Sequence, residues 1–412
     1  MIRTITQSWI AAGALFAILL TAGRVEALPA FSIDWDSSQA LGALVNEGDV
    51  LVPQGTGQTP SPAVFVPVGA GGLGLAPFAN GRVREVDALS YGLEPQLTPS
   101  TTNFQRWSFS VDQHATGLPG VPAFSVTTEG AAGNQQAAGD IYYTDTAPGP
   151  LSVSNGINQG RYDGDANLIP PFPAPGLNLR EPTPPLVPQV NDNLDALDLE
   201  GPGTSSFPIY FSLDSAFAPN TGTAAAYGFQ GGDVLVTTAA GGPPVLYASA
   251  SALGLNLTGV PDADDLDALV LWENGAPGYQ PTTGPYSWLG GNPTDMLLFS
   301  VRSGSALIGT PDSILNIPIA EGDILVPLAL QPPGIFVPAE ALGLQARLAG
   351  TTNDELDALD VELVSANSAV PEPSSLVLLG LGGSGLVGYA WRKKYRQRQC
   401  RSSSGPFSSS SC

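Results

Sequence analysis

Asn353–Glu362 reads NDELDALDVE, and three earlier stretches echo it: EVDAL from Glu85, NLDALDLE from Asn193 and DLDALVLW from Asp265. The aligned aspartates are Asp87, Asp195, Asp267 and Asp357, spaced by 108, 72 and 90 residues. A four-fold recurrence commits a chain to a repeat architecture, because each unit buries its apolar face against the next. Each echo brings the same escort. An aromatic element reads FSID at Phe31, FSVD at Phe109, FSLD at Phe211 and FSVR at Phe299. A Gly-Asp-led run follows: GDVLV from Gly48, GDIYY from Gly139, GDVLV from Gly232 and GDILV from Gly322. A third run closes on Leu-Gly-Leu, from Val64, Val245 and Ile335; the second repeat keeps only GLNL at Gly176.

These runs are five to eight residues long, rich in Val, Ile, Leu, Phe and Tyr, and bounded by Gly, Pro, Asn and Asp. They read as strands. Ala248–Leu253 and Ala339–Leu342 have room for one helical turn each. In DLDALVLW, strict alternation puts Leu266, Ala268, Val270 and Trp272 on one face and Asp267, Leu269 and Leu271 on the other. Apolar side chains on both faces predict a strand covered on both sides. The fold class is all-β: a four-repeat β-propeller of four short strands per blade, or else a β-sandwich repeat array. The strand order is similar to that of the hemopexin-type propeller. The first FS-φ element lacks an LDAL strand before it and the last LDAL copy lacks an FS-φ strand after it. Closure therefore predicts that the two ends of the body, residues 28–365, share a blade.

Charge narrows the partners. Between Leu28 and Val370 lysine is absent, and seven arginines face 35 carboxylates (all of the chain's 37 but Glu26 and Glu372), a net of −28. Nucleic acid and anionic lipid need a basic footprint and are excluded as partners of this body. Both cysteines, Cys400 and Cys412, lie in the tail, so no disulfide staples the repeats.

The ends carry addresses. Met1–Ala27 has a basic start at Arg3, an apolar core from Ile10 to Leu20 and a small-residue cleavage pattern at Val25-Glu26-Ala27, the form of a secretory signal peptide. The second repeat holds a proline-dense insertion, Ile169–Val190, that favours extended loop. After a linker over 366–375, an apolar glycine-rich stretch runs from Leu376 to Trp391. As a helix it is about 24 Å long, short of a ~30 Å hydrocarbon core. Arg392, Lys393, Lys394, Arg396 and Arg398 then fit a cytoplasmic stop, and the remainder of 392–412 is Ser-rich.

Val370-Pro371-Glu372-Pro373-Ser374, a short membrane segment and a basic end together resemble the PEP-CTERM sorting signal of Gram-negative bacteria. The resemblance implies export through signal peptidase, transient anchoring by a C-terminal transmembrane helix, and processing by an exosortase. Delivery would be to the cell surface or the extracellular matrix, with a structural, adhesive or polysaccharide-binding role.

Chemistry is sparse. The one histidine, His114, sits in a turn-like loop, and no phosphate loop, nucleophile elbow or dinucleotide fingerprint occurs. The expectation is a non-enzyme; the rival class is a secreted carbohydrate-active enzyme working through a carboxylate pair, which sequence cannot nominate among 35. Calcium is the cofactor the acids suggest. Asp192 and Asp195, then Asp262, Asp264 and Asp267, then Asp354 and Asp357 gather hard oxygens in the loops entering three LDAL strands. The same residues also suit turns that cap and blunt a strand. The first copy has Arg82 and Arg84 in their place.

Overall fold

The computed structural model describes residues 26–34, 37, 41, 45–54, 61–76, 86–90, 105–112, 115–119, 124–131, 135–146, 158–165, 176–181, 192–199, 208–215, 221–238, 242–256, 262–284, 294–328, 331–347 and 354–364. The expected signal helix, the sorting motif and the expected transmembrane helix lie outside them. So do His114, the arginines at 82 and 84, and the proline-dense segments 166–175 and 182–191. Among the described residues no helix is long and apolar enough to cross a membrane.

Among the described residues sixteen strands form four sheets of four. The LDAL strands are β4 (Ala88–Ser90), β8 (Leu194–Leu199), β12 (Leu266–Trp272) and β16 (Leu356–Val364). The FS-φ strands are β1 (Glu26–Ile33), β5 (Gln105–Ser110), β9 (Pro208–Leu213) and β13 (Met296–Val301). The Gly-Asp strands are β2 (Val50–Val52), β6 (Ile141–Thr146), β10 (Val234–Thr238) and β14 (Ile324–Leu328). The outer strands are β3 (Ala63–Val66), β7 (Gln159–Tyr162), β11 (Val245–Ala248) and β15 (Gln331–Val337). Sheet orders are β16-β1-β2-β3, β4-β5-β6-β7, β8-β9-β10-β11 and β12-β13-β14-β15, all antiparallel. The four LDAL strands neighbour one another at the centre. This is a four-bladed β-propeller with one blade per repeat, not a sandwich array.

The first blade is built from both ends of the body. β1 and β16 pair from Glu26↔Val364 to Ile33↔Leu356, with Phe31 opposite Leu359. The ladder begins at Glu26, two residues before the expected mature start at Leu28. In the second blade the outer strand is Gln159–Tyr162, which has no counterpart of the Val-Phe run seen in the other repeats. Gly160 leaves the space into which the Phe124 ring packs.

Strict alternation fails at one residue. In β8, β12 and β16 the ladder shifts register at the aspartate, so that Asp195, Asp267 and Asp357 are each an extra residue in a bulge. A bulge reverses the parity of what precedes it. Leu266 therefore packs with Leu269 and Leu271, while Ala268 and Val270 face the opposite core. Leu194 and Leu356 obey the same reversal.

Four cores lie between successive blades. Phe109 and Trp107 meet Val50 and Val66; Phe211 meets Ile141 and Tyr162; Phe299 meets Val234 and Ala196; Phe31 meets Val270 and Leu298. All four FS-φ phenylalanines are fully buried, each worth roughly 1.5–3 kcal/mol of transfer free energy. The serine beside each makes a second link. Ser32 Oγ donates to the Val86 carbonyl at 2.9 Å, Ser110 to Leu194 at 3.0 Å, Ser212 to Leu266 at 3.4 Å and Ser300 to Leu356 at 2.9 Å. Each acceptor precedes the inner-strand aspartate of the next blade, and the fourth bond returns to the first blade. Replacing Ser300 by Ala strands a buried carbonyl at the closing seam. It should destabilise by about 1 kcal/mol in urea unfolding, more than Ser212→Ala, whose bond is longer. An S300A protein as stable as the parent would remove the latch from the account.

Candidate functional site: acidic clusters at the axis and in the second blade

The bulge re-aims the inner-strand aspartate toward the end of the axis where the FS-φ strands finish. Asp195, Asp214 and Asp265 bring carboxylate oxygens within 4.8 Å of one another. Arg302 bridges two of them, Nη1 to Asp214 Oδ2 at 2.9 Å and Nη2 to Asp265 Oδ2 at 3.2 Å. Oδ2 of Asp195 is buried and accepts no hydrogen bond among the described residues. Beside this cluster Asp267 meets the carboxyl of Glu355. Glu355 accepts the Ser303 amide, and its own amide donates to Ser37 Oγ at 2.7 Å.

Burial is the main force on these groups. It raises Asp195 well above the ordinary carboxylate range; Asp214 adds to the rise and Arg302 opposes it. Asp267 is raised by burial and then by Glu355 and Asp195. Asp265 rises to about 7 despite Arg302, and Glu355 to about 7 despite the Ser303 amide. The cluster can hold protons at neutral pH or gather a cation; one guanidinium does not balance it.

The residues expected to bind calcium separate into two groups. Asp192, Asp264 and Asp354 are ties at equivalent places in three blades. Their Oδ2 atoms accept the amides of Arg180 at 2.8 Å, Asn256 at 2.7 Å and Gln345 at 2.5 Å. Asp192 Oδ1 also takes the Thr223 amide, and Asp264 Oδ1 takes Leu307 N and Ser305 Oγ. Asp262, at φ +60°, accepts from Ser215 Oγ and from the Gly231 amide, both in other segments. Asp195 and Asp267 instead reach the axial acids, and Asp357 occupies the same bulge position in its own blade. Asp214 and Arg302 were missed. Both close the FS-φ element, where the four repeats read Asp34, Asp112, Asp214 and Arg302, so the single basic exception stands in a column already aligned.

The Gly-Asp aspartates are ties too. Asp49, Asp233 and Asp323 each accept two amides, one three residues back and one beyond the outer strand. The distances run from 2.7 to 2.9 Å. Arg347 adds an ion pair to Asp323 and another to Glu340. In the second blade Asp140 departs from this rule, and a second carboxylate cluster, Asp140, Asp163 and Glu181, forms around it.

Residues 369–394 match the PEP-CTERM protein-sorting motif. No curated protein and no solved structure matches the chain. The hemopexin-type likeness thus rests on strand order alone. The chain is a four-bladed β-propeller followed by an exosortase sorting motif, which implies export and membrane-associated sorting.

The raised carboxyls give stability a definite pH dependence. A folded-state pKa above the unfolded value means that the native state binds protons more tightly. That contribution is fully present below about pH 4 and lost as pH rises through about 7, the value reached by Asp265, Glu355 and Glu129. In chelator, the melting temperature should fall between pH 5 and pH 8. A higher melting temperature at pH 8 would contradict these assignments.

Proposed function

We propose that this is an exported surface or matrix protein whose propeller binds an extracellular polysaccharide and does not turn it over. The sorting motif at 369–394 carries the reading, since it supplies an export route for a body with its own core. One surface feature favours a sugar ligand. Tyr227 is 54% exposed and stacks on Phe229, with centroids 5.8 Å apart and planes 21° from parallel. An exposed aromatic face held flat by a second ring suits the apolar face of a pyranose. The acidic charge of the body favours a neutral or cation-bridged glycan. Calcium in the loops entering the inner strands belongs to the same proposal, through the axial group of Asp195, Asp267 and Asp357.

The rival, a secreted carbohydrate-active enzyme, needs a carboxyl pair about 5 to 9.5 Å apart that reaches substrate. A glycan array run beside a hydrolysis screen separates the two. Binding without turnover, weakened in Tyr227→Ala, is expected; release of reducing ends would favour the enzyme. Mass spectrometry of the native surface fraction should find a start near Leu28 and no peptide beyond Pro371-Glu372-Pro373. An intact Arg392–Cys412 tail there would leave a plain membrane anchor.

A further inference from the structure

The second blade breaks the tie rule of the other three. Asp140 Oδ1 accepts the Gly164 amide at 2.8 Å, but Oδ2 accepts the Tyr142 hydroxyl at 2.8 Å instead of a main-chain amide. Asp163 and Glu181 close on it, all three offering oxygens within 4.8 Å of one another. Their exposures are 0%, 2% and 5%. Neither oxygen of Glu181 receives a donor among the described residues. The side chain that acts on it most strongly is Asp140, another carboxyl.

The backbone is shaped to admit this side chain. In the third and fourth blades the glycine before the tie faces a main-chain carbonyl: a Cβ on Gly232 would lie 2.7 Å from Asp264 O, and one on Gly322 2.7 Å from Asp354 O. In the second blade the same slot holds Glu181. A Cβ on Gly139 would lie 2.7 Å from Glu181 Oε1, and one on Gly164 only 1.9 Å. Two glycines thus make room for a carboxylate that no donor among the described residues satisfies. An unpaired buried charge is strongly unfavourable. The charges acting most strongly on Asp140 and Glu181 are also acidic: Asp163, Glu129 and Asp165. Three carboxylates, with no nitrogen or sulfur ligand, form a hard-oxygen donor set, the kind calcium takes.

We propose that Asp140, Asp163 and Glu181 form a calcium site inside the second blade, separate from the axial acids. The cation supplies the positive charge that the nest lacks and ties Gly139–Asp140, the end of β7 and the segment 176–181 together.

The test uses the full-length chain, stripped with chelator and titrated with calcium by calorimetry. Terbium titration is run in parallel, with emission sensitised by Tyr142. A saturable site is expected, with terbium emission displaced by calcium and a melting temperature that rises with free calcium by mass action. Glu181→Gln keeps the shape and removes the charge; it should weaken calcium by about tenfold or more and quench the terbium signal. Asp163→Asn should do the same and serves if E181Q does not fold. Asp195→Asn, which removes an axial carboxylate, should leave the Tyr142-sensitised terbium emission and its displacement by calcium unchanged. Calcium binding that survives in E181Q or D163N but is lost in D195N would place the metal at the axis and overturn the proposal. So would a wild-type protein indifferent to calcium whose E181Q variant is more stable at pH 8, the behaviour of a nest that holds protons.

Discussion

A propeller of four blades stands or falls on how each blade grips the next, and here the grip is a serine hydroxyl set against a neighbour's carbonyl. Ser32, Ser110, Ser212 and Ser300 each donate to the residue before the inner-strand aspartate of the following blade. For Leu194, Leu266 and Leu356 that carbonyl is available because the aspartate sits in a bulge, where the ladder within its own blade skips a bond. The latch and the bulge are thus one device. The phenylalanine beside each serine fills the core between the same two blades, so packing and hydrogen bonding fix the blade spacing together. Closure adds a backbone ladder between β1 and β16, which removes the two open edges that a linear array would expose.

The acids of this body fall into distinct kinds. Asp49, Asp233 and Asp323, like Asp192 and Asp264, have their oxygens filled by amides or hydroxyls at short range. They hold the turns of a body that has no cysteine. The axial acids and the second-blade nest are different: burial removes water from them without supplying enough donors, so their protons are held toward neutral pH. A chain with no lysine in its body has few ways to settle such groups; Arg302 stands among Asp195, Asp214 and Asp265, and Arg347 between Asp323 and Glu340.

Much of this was legible from the repeats. The four-element order gave four four-stranded blades, and the orphaned FS-φ and LDAL copies pointed to a shared first blade, because both follow from counting elements against edges. The facing of Leu266 was not legible. Alternation assumes an unbroken ladder, and a bulge is a property of two paired strands. The outer strand at Gln159–Tyr162 was also hidden, since its glycine and arginine lack an apolar pattern and it is held by Phe124 from another loop. The acidic loops read as one kind of calcium ligand, whereas the fold sorts them into amide-filled ties and donor-poor clusters.

Local and periodic properties were therefore set by the amino-acid sequence itself: strand identity, repeat number, the acidic surface and the sorting signal, each of which depends on residues near one another in the chain. Tertiary structure alone decided which carboxylates meet. Asp195, Asp214 and Asp265 come from three separate segments, and Glu181 reaches Asp140 across 41 positions. Whether a carboxylate is a satisfied tie or an unbalanced charge depends on the donors and water left around it after blades pack, and those are supplied by chain segments far away in sequence.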